Sequence, residues 1–330
     1  MMEEVLVTAR NNPSVDPSLA IWSWDVAVYL FLGGVTAGIL CFAGLMILLK
    51  KDEETPFAVK RLVLWAPILL SVGMGALFLD LEHKLYVFRF YTSLQISSPM
   101  SWGSWILVLV YPVSILLILC HVREGYPRLA ALIDRYPAGQ RLTGLACRWR
   151  MPIAAASVIA GVFLGFYTGI LLSAFSARPF WNTSLLAPLF LISGLSSAAA
   201  IVALGARSHG ERVFFTKIDV SLITAELAII ALLLVGLSTG AGEQLEALAL
   251  VMGGPYALEF WVYFITLGLL VPVVLNYLEV IGVGVWRLAA PVLVLYGGIM
   301  LRLVVLELGQ ESTWVEYANQ YSPHLLDVLR

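Results

Sequence analysis

The residues with the clearest chemical potential in this sequence are ionisable side chains set inside long apolar runs. Asp80, Tyr167, Asp219, Glu226 and Arg302 each lie within or at the end of a stretch rich in Leu, Ile, Val and Ala. An ionisable group in a lipid environment costs free energy, so each of these residues is a candidate for a proton or ligand site. The alternative is structural: Asp80 and Arg302 have opposite charges and could pair, and Glu226 could hydrogen-bond a neighbouring helix.

Two polar groups at a common depth predict a site for a lipid-soluble quinone. Tyr167 and His83 carry a hydroxyl and an imidazole that could hydrogen-bond a quinone carbonyl and exchange its protons, with Asp80 as a relay. The candidate aromatic walls are Trp22, Trp102 and Trp105. An aromatic belt at the membrane interface would explain most of these tryptophans without any ligand.

A second set of ionisable residues predicts a proton path. Asp219 and Glu226 are seven residues apart, so they share one face of a helix. We expect Glu226 to lie in the inner half of the bilayer, on the opposite side from Tyr167, with Asp219 below it and Arg302 above it. This set therefore predicts a relay that does not touch the quinone.

The elements that position these residues are transmembrane helices. Of the 330 residues, 60% are hydrophobic and 13% are charged, whereas soluble domains carry about 25% charged residues. A helix needs about 20 apolar residues to cross the hydrocarbon core, and eight runs meet that length. They are 22–49, 61–83, 102–122, 151–173, 184–206, 218–240, 255–280 and 286–307. The sequence predicts an all-α polytopic membrane protein, and it lacks the basic stripe typical of nucleic-acid binding.

The distribution of Lys and Arg predicts the orientation. Fourteen of the 20 lie in segments 50–61, 123–150, 207–217 and 276–287, which the positive-inside rule places in the cytoplasm. Both termini then lie outside, with residues 1–21 and 308–330 as outer tails around a membrane domain at 22–307. The long segment 123–150 has no catalytic motif and is interpreted as a solvated connector.

The histidines and cysteines predict neither haem nor a bound metal. His83, His121, His209 and His324 fall at different depths, so no two of them could ligate one haem from facing helices. The three cysteines lack the CxxC spacing of iron–sulfur and zinc sites.

Five sequence blocks carry a resemblance to a known family. They are IWSWDVAVYLFLGGVTAG, SSPMSWGSWIL, GFYTGILLSAFSARPFW, PLFLISGLSSAAA and LYGGIMLRLVVLELGQ, in order between residues 21 and 310. The chain resembles the polysulfide reductase membrane-subunit family, also called the NrfD family. It departs from the family pattern Asp-Leu-Gly-Arg-Pro after the second span, where residues 80–84 read Asp-Leu-Glu-His-Lys.

The resemblance implies two four-helix bundles in a bacterial or archaeal cytoplasmic membrane. It implies a haem-free subunit that exchanges electrons between menaquinone or ubiquinone and a ferredoxin-like iron–sulfur subunit on the outer face. That partner would connect to a molybdopterin or multihaem catalytic subunit. The quinone site of the family matches Tyr167 and Thr168, and its helix 6 carboxylate and helix 8 Arg match Glu226 and Arg302. Proton translocation has been suggested for the family.

A different class of protein also fits the composition. A stand-alone secondary transporter could bind a polar solute at the outer cluster. Copurification separates the two hypotheses, because a transporter would be isolated alone and a quinone subunit would bring an iron–sulfur protein.

Overall fold

Eight membrane-spanning helices form the protein. The computed structural model describes residues 22–312 apart from 82, 93, 176, 241 and 284–286. The helices are α1 Trp24–Leu48, α2 Phe57–Asp80, α3 Pro99–Gly125, α4 Arg150–Ser173, α5 Leu186–Gly205, α6 His209–Ser238, α7 Glu259–Val280 and α8 Ala289–Glu311. The predicted all-α polytopic membrane fold is confirmed. The predicted tails lie outside the described residues at 1–21 and from 313 onward, and the side of the termini stays a prediction.

The central helix is α1, which packs against α2, α4 and α5. Small residues allow this close approach: a Cβ at Gly38 would lie 2.6 Å from the Ala198 Cβ of α5. A Cβ at Gly161 of α4 would lie 2.7 Å from the carbonyl oxygen of Ala37. The four-residue glycine repeats of α1 and α4 thus work as packing motifs, as small residues do at helix interfaces in membranes. The division into two four-helix bundles stays a prediction.

Helix α6 begins nine residues earlier than the sequence predicted, at His209 instead of residue 218. The charges of Glu211, Arg212 and Lys217 suggested a loop. Glu211 is nevertheless buried, and its carboxylate accepts hydrogen bonds from the backbone N–H groups of Phe57 (2.9 Å) and Ala58 (3.0 Å). It therefore satisfies free donors at the first turn of α2, which is how a charged residue enters the helix.

The interpretation of segment 123–150 as a solvated connector is wrong. Most of it forms two further helices, Pro127–Ile133 and Pro137–Arg148. The second packs on α3, where the Cys120 thiol donates to the Ala146 carbonyl (3.2 Å) and the Cys147 thiol to the Cys120 carbonyl (3.6 Å). Its arginines had suggested solvation, but the helical spacing of its apolar residues gives it one face that packs on the protein.

We name the two ends of the helices after the predicted orientation. The outer end carries Trp24, Asp80 and Pro99, and the inner end carries Leu48 and Gly125. At the inner end Arg150 donates a hydrogen bond to the Asp52 carboxylate in the α1–α2 connection. Partial burial raises the pKa of Asp52, but the hydrogen bond and charge of Arg150 outweigh that effect and lower it below its ordinary value.

The native cysteines provide a test of orientation. Cys147 is exposed at the inner end, whereas Cys41 is buried and Cys120 is half-buried. We expect a membrane-impermeant thiol reagent to label Cys147 in inverted vesicles and not in intact cells, because the positive-inside rule places this segment in the cytoplasm. Mass spectrometry of the labelled peptide measures this, with Cys147→Ala as the control. Labelling of Cys147 in intact cells would reverse the orientation.

Candidate functional site

An apolar cavity of about 190 Å³ lies at the outer end, between α1, α2, α3 and α4. Its polar groups come from Tyr29, Asp80, Tyr91, Ser104 and Tyr167. The apolar part of the wall includes Trp22, Val26, Leu30, Met74, Leu77, Phe78, Leu81, Phe90, Met100 and Leu107. A mostly apolar pocket with a few convergent polar groups is the usual form of a small-molecule site.

Tyr167 occupies its position because α3 has a glycine opposite it. A Cβ at Gly103 would overlap both Cζ and the hydroxyl oxygen of Tyr167. The tyrosine ring therefore fills the space where a larger residue on α3 would stand. Tyr167 is 5% exposed and lines the cavity.

Tyr29 and Ser104 were not predicted from the sequence. Both are buried cavity-lining residues, and Tyr29 lies on α1 one helical turn inward of Asp25. The hydroxyls of Tyr29 and Tyr167 accept and donate no hydrogen bond within the described part of the chain. A tyrosine within an apolar run at the depth of Tyr167 was the available signal for Tyr29.

Trp22 lines the cavity and is held from two sides. Its backbone N–H donates to Gln310 Oε1 (2.8 Å), and Gln310 Nε2 donates to the Trp22 carbonyl (2.9 Å). The Trp22 ring stacks on Trp181 with ring centroids 5.4 Å apart. The end of α8 thus positions the aromatic wall at the start of α1.

The other predicted quinone-site residues lie at different distances from the cavity. Asp80 lines it, whereas His83 lines a neighbouring cavity of about 520 Å³. Thr168 is buried, and its hydroxyl donates to the Gly165 carbonyl (2.9 Å) of its own helix. Trp102 and Trp105 are not among the cavity-lining residues; Trp102 Nε1 donates to the Ile96 carbonyl (2.7 Å). The structure therefore brings together Tyr167, Asp80 and Trp22.

A second polar group lies in the interior of α5, α6, α7 and α8, and we call it the buried polar cluster. It consists of Ser193, Ser196, Asp219, Glu226, Asn276 and Arg302, all of them buried. The Arg302 guanidinium donates to Ser193 Oγ (2.5 Å) and to the carbonyls of Gly298 (2.9 Å) and Phe190 (3.0 Å).

The carboxylates of this cluster have different surroundings. Asp219 accepts hydrogen bonds from Ser196 (2.5 Å) and from Asn276 (2.7 Å). Glu226 lies beside Ser193 and within the electrostatic range of Arg302. Its Oε1 has no hydrogen-bond partner in the described part of the chain. Ser193, Ser196 and Asn276 were not predicted from the sequence, because serine and asparagine carry no charge that marks them within a span.

The structure corrects the predicted depth of Glu226. It is 17 residues from His209 at the inner end of α6, or about 25 Å along the helix axis. It therefore lies near the middle of its helix, beside Arg302, and not in the inner half. Tyr167 is six residues from the outer end of α4, about 9 Å, so the two residues still lie at different depths.

The alternative of an Asp80–Arg302 ion pair is wrong. Asp80 lies at the outer end of α2 and lines the cavity, whereas Arg302 donates to groups of α5 and α8. Arg302 also packs against α1, since a Cβ at Gly34 would lie 3.0 Å from its Nη2. Because Tyr29 precedes Gly34 by five residues, α1 connects the cavity to the buried polar cluster.

The fold and the two sites define an eight-helix membrane protein with a ligand cavity near one membrane surface and a buried ionic cluster near its middle. The family model described as "Polysulphide reductase, NrfD" matches residues 12–313. The protein is 31% identical to the polysulfide reductase C subunit of Wolinella succinogenes, over 88% of its own length and 94% of that relative. It is 30% identical to Protein NrfD of Escherichia coli, over 88% of its own length and 95% of that relative. The chain belongs to the NrfD polysulfide reductase family, and the resemblance seen in its sequence is confirmed.

Proposed function

We propose that this protein is the quinone-reactive membrane subunit of a respiratory oxidoreductase in a bacterial or archaeal cytoplasmic membrane. It exchanges electrons between menaquinone or ubiquinone and a ferredoxin-like iron–sulfur subunit on the outer face. That subunit leads to a molybdopterin or multihaem catalytic subunit. The observation that carries this proposal is the apolar outer cavity, whose two buried phenol hydroxyls make no hydrogen bond within the described part of the chain.

The cavity residues fit a quinone ring. A quinone takes up or releases electrons together with protons, so its site needs hydrogen-bond donors for the carbonyls and a route for protons. Tyr167 and Tyr29 supply the donors, and Asp80 is the carboxyl group that can pass protons to and from them. Trp22 supplies an aromatic wall for a planar ring.

Protons leave or enter at the outer end in this proposal. Asp80 and His83 lie on consecutive parts of the α2 outer end, and His83 lines the neighbouring cavity. An imidazole can take up and release protons near neutral pH. The order Tyr167, Asp80, His83 therefore runs from the buried cavity to the exposed surface.

The partner follows from electron transfer. The Wolinella succinogenes relative is named as one lettered component of polysulfide reductase, which supports a subunit of a larger assembly. The cavity lies at the outer end, so a redox partner docked on that face would approach a ring bound beside Trp22 and Tyr167.

The buried polar cluster is the second part of the proposal. Glu226 and Asp219 share one face of α6, with Arg302 beside Glu226, and they form a relay for protons inside the membrane. We expect Glu226→Gln to leave quinone affinity unchanged and to alter proton uptake during turnover, because Gln cannot carry a proton. Proton uptake by vesicles that contain the assembled complex measures this. A loss of quinone affinity in folded Glu226→Gln would place the ligand at the cluster.

Copurification tests the proposed function against the secondary transporter. A tagged copy of the full-length protein is extracted from native membranes in mild detergent, and its iron, acid-labile sulfide and quinone are measured. We expect an iron–sulfur protein to accompany it, with clusters that a quinol reduces or a quinone oxidises. A protein that is isolated alone and binds a polar solute would support the transporter.

A further inference from the structure

The cavity is too small for a whole membrane quinone. Its volume of about 190 Å³ is below the range of about 300–1,000 Å³ that holds a complete drug-sized ligand. A ring can lie inside it, but a long isoprenoid tail must leave it. Where that tail leaves is an inference that rests on the proposed function.

Most of the cavity wall is closed. Among its 18 lining residues, three side chains are well exposed: Phe78 (40%), Phe90 (40%) and Met100 (43%). The remaining lining residues are buried or half-buried. The cavity therefore opens on the side where these three residues lie.

This side is the gap between the outer ends of α2 and α3. Helix α2 packs mainly along α1 and contacts α3 over a shorter stretch. The Ser71 and Tyr111 hydroxyls, 3.0 Å apart, join α2 to α3 deeper in the membrane. Phe78 and Met100 stand above this connection on the two helices, and Phe90 lies over them from the connecting segment.

The surface around the gap is apolar. Leu79, next to Phe78, is 63% exposed, and on α3 Val108 and Leu109 are also exposed. Residues of a spanning helix with such exposure face the acyl chains of the bilayer. A ligand that leaves the cavity between Phe78 and Met100 thus enters hydrocarbon.

We propose that the gap bounded by Phe78, Phe90 and Met100 is a lateral portal, through which a polyprenyl quinone enters from the bilayer and in which its tail rests. The contrasting route is the neighbouring cavity, which shares Leu81, Phe90 and Met100 with the first and is lined by His83, Arg89, Gln95 and Ser98. Its polar and charged groups suit water and protons, and an isoprenoid tail there would bury apolar surface against them.

Narrowing the portal tests this assignment. Met100→Trp is compared with Leu79→Trp, a neighbouring exposed position that does not line the cavity. The sample is the full-length protein with its copurifying partners, reconstituted in lipid nanodiscs. Equilibrium titrations use a tailless 1,4-naphthoquinone and the same ring with a long polyprenyl tail.

We expect Met100→Trp to weaken binding of the tailed quinone by about tenfold, as overpacking of a filled site does, and to change binding of the tailless ring by less than about twofold. Leu79→Trp should change neither. Equal losses for both quinones, or no loss, would overturn the portal while leaving the quinone site in place. If the wild-type protein binds neither quinone, the proposed function fails as well.

A widening variant covers the case in which Met100→Trp does not fold. Phe78→Ala removes one edge of the portal, so we expect tailed quinone to associate and dissociate several-fold faster, with unchanged rates for the tailless ring. Unchanged exchange of the tailed quinone in Phe78→Ala would also overturn the portal.

Discussion

Replacing Arg302 with methionine should destabilise the protein by about 3–5 kcal/mol, the usual cost of breaking a buried charge pair by removing one partner. Arg302 is 0% exposed, and its guanidinium lies beside Glu226 and donates to Ser193. Without it, Glu226 is left as a buried carboxyl with no compensating charge. Unfolding of the purified protein in detergent, followed by circular dichroism, measures the loss.

The double variant Arg302→Met with Glu226→Gln shows whether the pair is the cause. Removing both charges should recover a large part of the lost stability, because replacement of a whole buried pair is often close to neutral. Arg123→Met is the matched control: Arg123 forms an exposed ion pair with Asp134, which contributes about 0–1 kcal/mol. If the double variant is as unstable as the sum of the single ones, Glu226 is not the partner of Arg302.

Gly103→Ala should abolish most quinone binding although it adds a single methyl group. The new Cβ would overlap Cζ of Tyr167, so the ring must move out of its place in the cavity. We expect quinone affinity to fall by about tenfold or more, which corresponds to about 1.4 kcal/mol. Quinone titration of the assembled complex measures it.

Gly75→Ala provides the comparison for this variant. Gly75 lies on α2, and a Cβ there has nothing within 4 Å. It should bind quinone as the wild-type protein does. Unchanged affinity in Gly103→Ala would show that Tyr167 has no part in ligand binding.

The sequence predicted the helices well because their signal is the length of an apolar run. The same signal failed at the start of α6, where Glu211 looks like a loop residue until its hydrogen bonds to the first turn of α2 are known. That error moved Glu226 toward the inner surface by several helical residues. Depth counted from a sequence depends on where the helix begins.

The site was predicted in part for a related reason. Tyr167 and Asp80 are conspicuous in apolar runs, and the structure places both on the cavity wall. Trp102 and Tyr29 are both aromatic residues near helix starts, and composition cannot distinguish the one that faces the cavity from the one that does not. The direction of each side chain depends on helix rotation, which packing glycines such as Gly103 and Gly38 fix.

The most direct test of the central claim is a quinone titration of the assembled complex with the wild-type protein, Tyr167→Phe and the distant control Tyr263→Phe. We expect Tyr167→Phe to weaken quinone binding by about tenfold, the effect of losing one hydrogen bond in a buried site, and to slow electron transfer to the iron–sulfur partner. Tyr263→Phe, on the exposed side of α7, should match the wild type. Unchanged affinity and turnover in Tyr167→Phe would contradict a quinone site at the outer cavity.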